Sequence, residues 1–149
     1  RKRDENINIA ISDEEGEFDL YYFHNRSALN SLDINRKKNA KEIKKIKTKT
    51  LNSIIENSKF QKDKINLLSI DVEGHELEVI KSIDLIKYSP EIILIEFMEK
   101  KLNEIKFYKQ NINSIIDSDL YKYMIKNNYY FVNWINNDLV FAHTDIRNK

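Results

Sequence analysis

Two nearly continuous apolar runs, residues 65–71 (INLLSID) and residues 92–97 (IILIEF), constrain the fold of this chain most strongly. Apolar runs of this length are typical of strands that are buried on both faces of a parallel sheet. Between them, residues 75–87 carry apolar side chains at helical spacing, and Gly74 lies just before this stretch. A strand, helix, strand unit crosses over right-handedly and places its strands parallel in one sheet. The sequence therefore predicts an α/β fold.

Shorter patterns precede this unit. Residues 6–12 and residues 18–22 alternate polar and apolar side chains, which predicts two strands paired through the acidic turn between them. The basic stretch 36–49 predicts a solvated helix in its middle and a short edge strand over residues 46–49. Thr50 then has the features of an N-cap, so a helix is expected to begin directly after it.

Further elements are expected after the second apolar strand. A helical stretch is predicted over residues 101–109 and a second helix over residues 115–127. Two closing strands, residues 129–135 and residues 139–143, are separated by Asn-Asn-Asp. Because Asn and Asp tolerate positive φ, this segment predicts a hairpin turn.

Composition narrows the possible classes of protein. The 149 residues are 41% hydrophobic, which is enough for one core, so we expect residues 1–149 to form a single domain. Lys and Arg number 25 against 24 for Asp and Glu, and this balance gives no global case for a polyanionic partner. The chain has no cysteine, and its apolar runs are far shorter than the roughly 20 residues that span a bilayer. We therefore expect a cytoplasmic protein without a membrane partner.

Chemistry is expected where the two apolar strands end. In a doubly wound sheet, ligands bind beyond the carboxyl ends of the parallel strands. Asp71 ends the first strand, Glu96 lies near the end of the second, and the turn DVEGHE adds Glu73, His75 and Glu76. Three carboxylates and an imidazole at one turn are costly to desolvate without a purpose. We therefore predict a catalytic site made of Asp71, Glu73, His75 and Glu96.

The same residues also admit purely structural interpretations. Glu73 and Glu76 precede a helix, where carboxylates stabilise the positive end of the helix dipole. Asp71 could cap the turn, and His75 could be an exposed helix residue. A zinc-protease motif is excluded because the residue four positions after His75 is not histidine. A magnesium or manganese site of Asp71, Glu73 and Glu96 stays open as an alternative to a metal-free site.

The block INLLSIDVEGHELEVIKS followed by PEIILIEF resembles the signature of FkbM-type methyltransferases, in which a strand ends in Asp-Val-Glu-Gly. The segments that flank this block also match the family pattern, in the same order along the chain. The segment NIAISD with Gly16 is similar to the strand and turn that precede the signature, and Lys49-Thr50-Leu51 is similar to the start of the family's Thr-Leu helix. The tyrosine-rich closing strands resemble the last strands of the family.

This resemblance implies a Rossmann-like methyltransferase sheet, mostly parallel with a C-terminal antiparallel hairpin. It also implies S-adenosylmethionine as cofactor and an O-methyltransferase that acts on a sugar or secondary metabolite. The residues expected near the adenine of the cofactor are Ala10, Ile11, Ser12 and Asp13. Asp71 is expected near the transferred methyl group.

The chain also departs from the family pattern. The family's glycine-rich loop after its first strand and the acidic residue after its second strand have no counterpart here, and Gly16 and Gly74 cannot form such a loop. The chain does not begin with methionine. Either the missing N-terminal strands precede Arg1, and this is the C-terminal part of a methyltransferase domain, or the chain does not bind S-adenosylmethionine by itself. A structural remnant without activity of its own is a further alternative.

Methyl transfer to an alcohol needs a base, because an alcohol is a weak nucleophile. We expect Asp71 or His75 to be that base and Glu73 or Glu96 to orient a small-molecule or glycan acceptor. One rival is a metal-dependent glycosyl transferase that uses Asp71 and Glu73 as an acidic metal pair. Another is a non-catalytic module that binds anionic glycan or nucleic acid through residues 36–49. That stretch contains no aromatic residue that could stack on bases, so no nucleic-acid partner is expected.

Overall fold

The computed structural model describes residues 3–24, 29–97 and 111–148, whose strands form two sheets. The first sheet has the order β1-β3-β2 and consists of β1 (Ala10–Ile11), β2 (Gly16–Tyr22) and β3 (Glu42–Lys49). The second has the order β4-β5-β7-β6 and consists of β4 (Leu67–Ile70), β5 (Ile92–Glu96), β6 (Tyr129–Ile135) and β7 (Asp138–His143). The α-helices are α1 (Leu51–Glu56), α2 (Glu76–Lys81), α3 (Leu85–Tyr88), α4 (Ile112–Ile116) and α5 (Asp119–Lys126). Among the described residues, 3₁₀ helices span Ile34–Asn39 and Thr144–Asn148.

The first sheet differs from the prediction because β3 lies between β1 and β2. β1 is parallel to β3 and β2 is antiparallel to it, so the predicted pairing of the first two strands is wrong. The predicted helix in the middle of residues 36–49 is wrong, because residues 34–39 form a 3₁₀ helix and residues 42–49 form a strand. The strand predicted over residues 46–49 is present, but it is longer and lies at the centre of the sheet, so only its prediction as an edge strand is wrong. Lys45 and Lys47 lie opposite Asp19 and Glu17, and such cross-strand charge pairs stabilise a strand whose lysines have a low strand propensity.

The second sheet contains the predicted strand, helix, strand unit. β4 and β5 are parallel, with Leu67 opposite Ile92, as predicted. β6 and β7 form the predicted antiparallel hairpin, and Asn136 in its turn has φ 56°. β5 and β7 are antiparallel, so the sheet mixes both directions and the expectation of a mostly parallel sheet is met only in part. The observed class is a mixed α/β fold.

The hydrophobic core lies on one face of the second sheet. Ile80, Ile93, Met124 and Phe141 are completely buried there, and they join α2 and α5 to β5 and β7. The other face of β4 is open, because Leu67 is 59% exposed. The expectation that residues 65–71 are buried on both faces is therefore wrong. Among the described residues β4 pairs only with β5, which makes it an edge strand.

Capping residues set the bounds of the helices. Thr50 caps α1 as predicted, since its side chain accepts a hydrogen bond from the Ser53 amide. The predicted helix over residues 75–87 is divided, because Asp84 caps a separate helix, α3. The helix predicted over residues 115–127 is likewise divided by Ser118, which caps α5. The stretch predicted over residues 101–109 lies outside the described residues. In the part of the chain that the structure describes, every helix is too short or too polar to span a bilayer.

Candidate active site

Acidic side chains meet at the carboxyl ends of β4 and β5. Asp71 directly follows β4, and Glu96 is the last residue of β5. The two strands are parallel, so these ends lie at the same edge of the sheet. Asp71, Glu73 and Glu96 each place a carboxylate oxygen within 4.8 Å of the others. Three of the four side chains predicted as catalytic are therefore brought together.

The turn between β4 and α2 has an unusual backbone conformation. Glu73 and Gly74 both have positive φ, 56° and 100°. The φ of Gly74 favours glycine, and a Cβ atom there would lie 3.1 Å from Asp33 Oδ2, so a side chain would also crowd Asp33. The turn is closed by Glu76, whose Oε1 accepts hydrogen bonds from the amides of Val72 (3.2 Å) and Gly74 (2.9 Å). Glu76 is buried, and this burial raises its pKa. Its contacts make Glu76 a support of the turn.

Glu96 has the most perturbed carboxyl group of the cluster. Burial raises the pKa of Glu96 to about 7, and the neighbouring carboxylates of Glu73 and Asp71 add to the rise. Its Oε2 atom is buried and accepts no hydrogen bond within the described part of the chain. A carboxyl group with a pKa near neutrality can accept or donate a proton at physiological pH.

Two residues that the sequence analysis did not select hold Glu73 in place. Arg36 Nη2 lies 3.2 Å from Glu73 Oε2, and the two side chains are 16% and 21% exposed. Ser31 is buried and donates a hydrogen bond of 2.6 Å from its hydroxyl to the Glu73 carbonyl. Both contacts join distant parts of the chain, so no local sequence pattern could have revealed them.

His75 joins the turn to the first sheet. His75 Nε2 lies 2.9 Å from Ser12 Oγ, and the Ser12 hydroxyl in turn donates to Asp13 Oδ1 at 3.1 Å. When the Ser12 proton is directed to Asp13, Ser12 Oγ accepts from the Nε2–H of His75. His75 Nδ1 lies 3.6 Å from Glu78 Oε2. The nitrogen of His75 nearest the first sheet is therefore already bonded.

A pocket of about 480 Å³ lies between the first sheet and this turn, a volume within the usual range for small-molecule sites. Ile9, Ile11, Leu20 and Ile46 contribute an apolar wall. The predicted site residues that line the pocket are Ala10, Ile11, Asp71, Glu73 and His75. The other three predicted residues do not line it: Ser12 is buried, Asp13 is exposed, and Glu96 lies beside Asp71 and Glu73.

Comparison with protein-family models shows to which family this chain belongs. A family model described as the methyltransferase FkbM domain matches residues 1–125. The chain belongs to the FkbM methyltransferase family. This confirms the resemblance noted in the sequence, and the matched region of the FkbM domain contains both walls of the pocket and the whole acidic turn. Comparisons with curated proteins and with solved structures gave no significant match.

The FkbM site offers two kinds of binding surface. Asp71, Glu73 and Glu96 are the described residues that could hold a hard cation such as magnesium, because they present carboxylate oxygens close together. The apolar wall with Ile9 and Ile11 could cover a heteroaromatic ring. An apolar wall that faces a carboxylate rim suits a ligand with one apolar end and one cationic end.

Proposed function

We propose that this FkbM domain transfers a methyl group from S-adenosylmethionine to a hydroxyl group of a sugar or secondary-metabolite acceptor. The observation that carries the proposal is that Ala10 and Ile11 of the first sheet line one pocket with Asp71 and Glu73 of the acidic turn. Membership of a methyltransferase family supports methyl transfer as the reaction. The parallel pair β4 and β5 with its crossover supports a Rossmann-like arrangement.

The chemistry of the pocket residues suits the cofactor. S-adenosylmethionine supplies an electrophilic methyl group on a sulfonium cation. Ile9, Ala10 and Ile11 would lie against its apolar adenine, and Asp71 would face its positive charge. Ser12, which follows Ile11, would stabilise this apolar wall, because it is buried and bonded to His75.

We assign the proton-accepting role to Glu96, which is not part of the pocket lining but has a carboxylate oxygen within 4.8 Å of those of Asp71 and Glu73 at the rim. An acceptor hydroxyl must lose its proton as it reacts, and a base works best when its pKa lies near the working pH. The pKa of Glu96 is raised to about 7, whereas His75 already bonds to Ser12. Asp71 and Glu73, at the pocket rim, would then orient the hydroxyl. This assignment moves the role of base from Asp71 or His75 to Glu96.

The proposal is tested by calorimetric titration of S-adenosylmethionine, together with transfer of a labelled methyl group to a panel of sugars and hydroxylated metabolites. We expect saturable binding and transfer to at least one hydroxyl. Glu96→Gln should lower kcat on the order of 100-fold, the usual effect of removing a general base. Glu17→Gln, on the exposed side of β2, is the matched control and should leave turnover unchanged. If the wild-type chain neither binds S-adenosylmethionine nor transfers a methyl group, the proposal is contradicted.

A second candidate is a metal-dependent reaction, and the close approach of Asp71, Glu73 and Glu96 favours it. A divalent cation bound there would polarise the acceptor hydroxyl. Treatment with EDTA followed by addition of magnesium or manganese distinguishes the two cases, since only a metal-dependent enzyme loses and regains its activity. Glycosyl transfer through the same cluster is less well supported, because the chain belongs to a methyltransferase family.

The partner that we propose is a small-molecule or glycan acceptor, without nucleic acid. Lys44 and Lys45 of the basic strand form ion pairs with Glu42 and Asp19, at 3.6 and 2.7 Å. These pairs reduce the positive charge that the stretch offers to a polyanion. A mobility-shift experiment on random-sequence RNA and DNA, which we expect to be negative, tests this part of the proposal.

A further inference from the structure

The ion pair between Arg36 and Glu73 is unusually well shielded for a surface loop. Arg36 Nη2 lies 3.2 Å from Glu73 Oε2, and the side chains are only 16% and 21% exposed. A pair that is shielded in this way is screened less by salt than an exposed pair. It also joins the segment before β3 to the acidic turn after β4, two parts of the chain that are distant in sequence.

The backbone around Arg36 fixes the direction from which its side chain reaches the turn. Arg36 lies in the 3₁₀ helix that Asp33 caps, because Asp33 Oδ1 accepts from the Asn35 amide at 2.9 Å. The Arg36 amide also bonds to the Asp33 carbonyl at 2.9 Å. The Asp33 side chain packs against Gly74, where it occupies the space that a Cβ atom would need. The same short helix thus contacts both residues of the turn that have positive φ.

Glu73 needs an external restraint to keep its position. Its φ of 56° is uncommon for a residue other than glycine, and such conformations persist only where the surroundings enforce them. Its carboxylate also lies close to those of Asp71 and Glu96, so like charges repel it toward solvent. The Ser31 hydroxyl restrains the Glu73 backbone. The guanidinium of Arg36 restrains the carboxylate.

We propose that Arg36 is a positioning residue that acts through Glu73, holding its carboxylate at the pocket rim beside Asp71 and Glu96. Arg36 itself does not line the pocket, whereas Glu73 does. The consequence for catalysis rests on the proposed methyl transfer, in which Glu73 helps to orient the acceptor. The restraint on the turn does not depend on that reaction.

The experiment compares four variants with the wild-type chain: Arg36→Gln, Arg36→Lys, Glu73→Gln and the double variant Arg36→Gln/Glu73→Gln. We expect Arg36→Gln to lower kcat on the order of tenfold to 100-fold, as for a misplaced orienting group, with little change in the KM for S-adenosylmethionine. Arg36→Lys should recover part of kcat because it keeps the charge. The double variant should be no worse than Glu73→Gln, because Arg36 acts through that residue.

Lys37→Gln is the matched control, since Lys37 is exposed on the same 3₁₀ helix. A loss of kcat in Lys37→Gln equal to that in Arg36→Gln, or multiplicative losses in the double variant, would overturn the positioning role. Hydrogen exchange of the Gly74 amide, which bonds to Glu76, gives a readout without turnover. We expect faster exchange in Arg36→Gln at unchanged global stability. If the wild type transfers no methyl group, the proposed function fails, and unchanged Gly74 exchange then overturns the role of Arg36 separately.

Discussion

His75 Nε2 lies 2.9 Å from Ser12 Oγ, and this hydrogen bond joins the end of β1 to the acidic turn after β4. The two residues belong to opposite sides of the pocket, because Ile11 precedes Ser12 on the apolar wall and His75 lines the acidic rim. Ser12 is completely buried. Together with the hydrogen bond from Ser31 to the Glu73 carbonyl, this contact holds the two walls of the pocket at a fixed distance.

Replacement of Ser12 should weaken the fold and open the pocket. Ser12→Ala removes the hydroxyl that bonds to His75 Nε2, and the loss of a typical hydrogen bond costs about 0.5 to 1.5 kcal/mol. Urea denaturation measures this loss, and Ser69→Ala, at an exposed serine of β4, is the matched control. Equal stability of the Ser12→Ala and Ser69→Ala variants would mean that the contact does not hold the walls together.

The two glycines should respond very differently to alanine. Gly74→Ala forces a side chain into φ 100° and against Asp33, so it should destabilise the protein by more than about 1 kcal/mol. A Cβ atom on Gly16 meets only Phe18 at 3.7 Å, which is an ordinary contact. Thermal unfolding of both variants tests this difference. A Gly16→Ala variant less stable than Gly74→Ala would contradict the described turn.

The role of Glu76 as a support of the turn predicts a contrast between two substitutions. Glu76→Gln keeps an acceptor oxygen for the amides of Val72 and Gly74, whereas Glu76→Ala removes it. The alanine variant should lose about 2 kcal/mol or more, since two turn amides lose their partner, and the glutamine variant much less. Chemical denaturation of the two proteins side by side measures the contrast. Similar losses would show that the hydrogen bonds contribute little.

The raised pKa of Glu96 predicts how stability depends on pH. The folded-state pKa of about 7 lies above the ordinary value of 4.5, so the folded state binds this proton more tightly than the unfolded chain does. The stabilisation that Glu96 contributes to the folded state is therefore fully present below pH 4.5. It is lost progressively as the pH rises from 4.5 to about 7, the folded-state pKa. Glu96→Gln removes the penalty of the buried charge.

At pH 8 the Glu96→Gln variant should therefore melt higher than the wild type by about 3 °C, which corresponds to roughly 1 kcal/mol after allowance for solvent screening. At pH 4 the two should melt together. Calorimetric scans between these pH values give the comparison, and the exposed Glu17→Gln serves as control. A wild-type protein that gains stability between pH 5 and pH 7 through Glu96 would contradict the assignment.

The parts of the fold that the sequence predicted are those that local patterns determine. The apolar runs of β4 and β5 and the Thr50 cap depend only on neighbouring residues, and all three are present. β3 was predicted only over residues 46–49 and as an edge strand, because its lysines do not indicate a longer strand and its charge partners Asp19 and Glu17 lie in β2. No periodicity in the sequence reports such a cross-strand pair.

The site was predictable to a similar degree. The position of Asp71, Glu73 and Glu96 at one sheet edge follows from two parallel strands, and the structure places them together. The contributions of Arg36 and Ser31 could not be foreseen, since each reaches Glu73 across a large sequence separation. The perturbed pKa of Glu96 likewise depends on burial and on neighbours that only the folded chain supplies.

The account depends on one pocket shared by Ile11 and the acidic turn, and amide chemical shifts of the labelled chain during titration with S-adenosylmethionine test this most directly. We predict saturable shift changes at Ala10 and Ile11 together with changes at Val72 and Gly74, while the amides of the β6–β7 hairpin stay unchanged. No saturable change, or changes at only one of the two walls, would contradict a shared cofactor pocket.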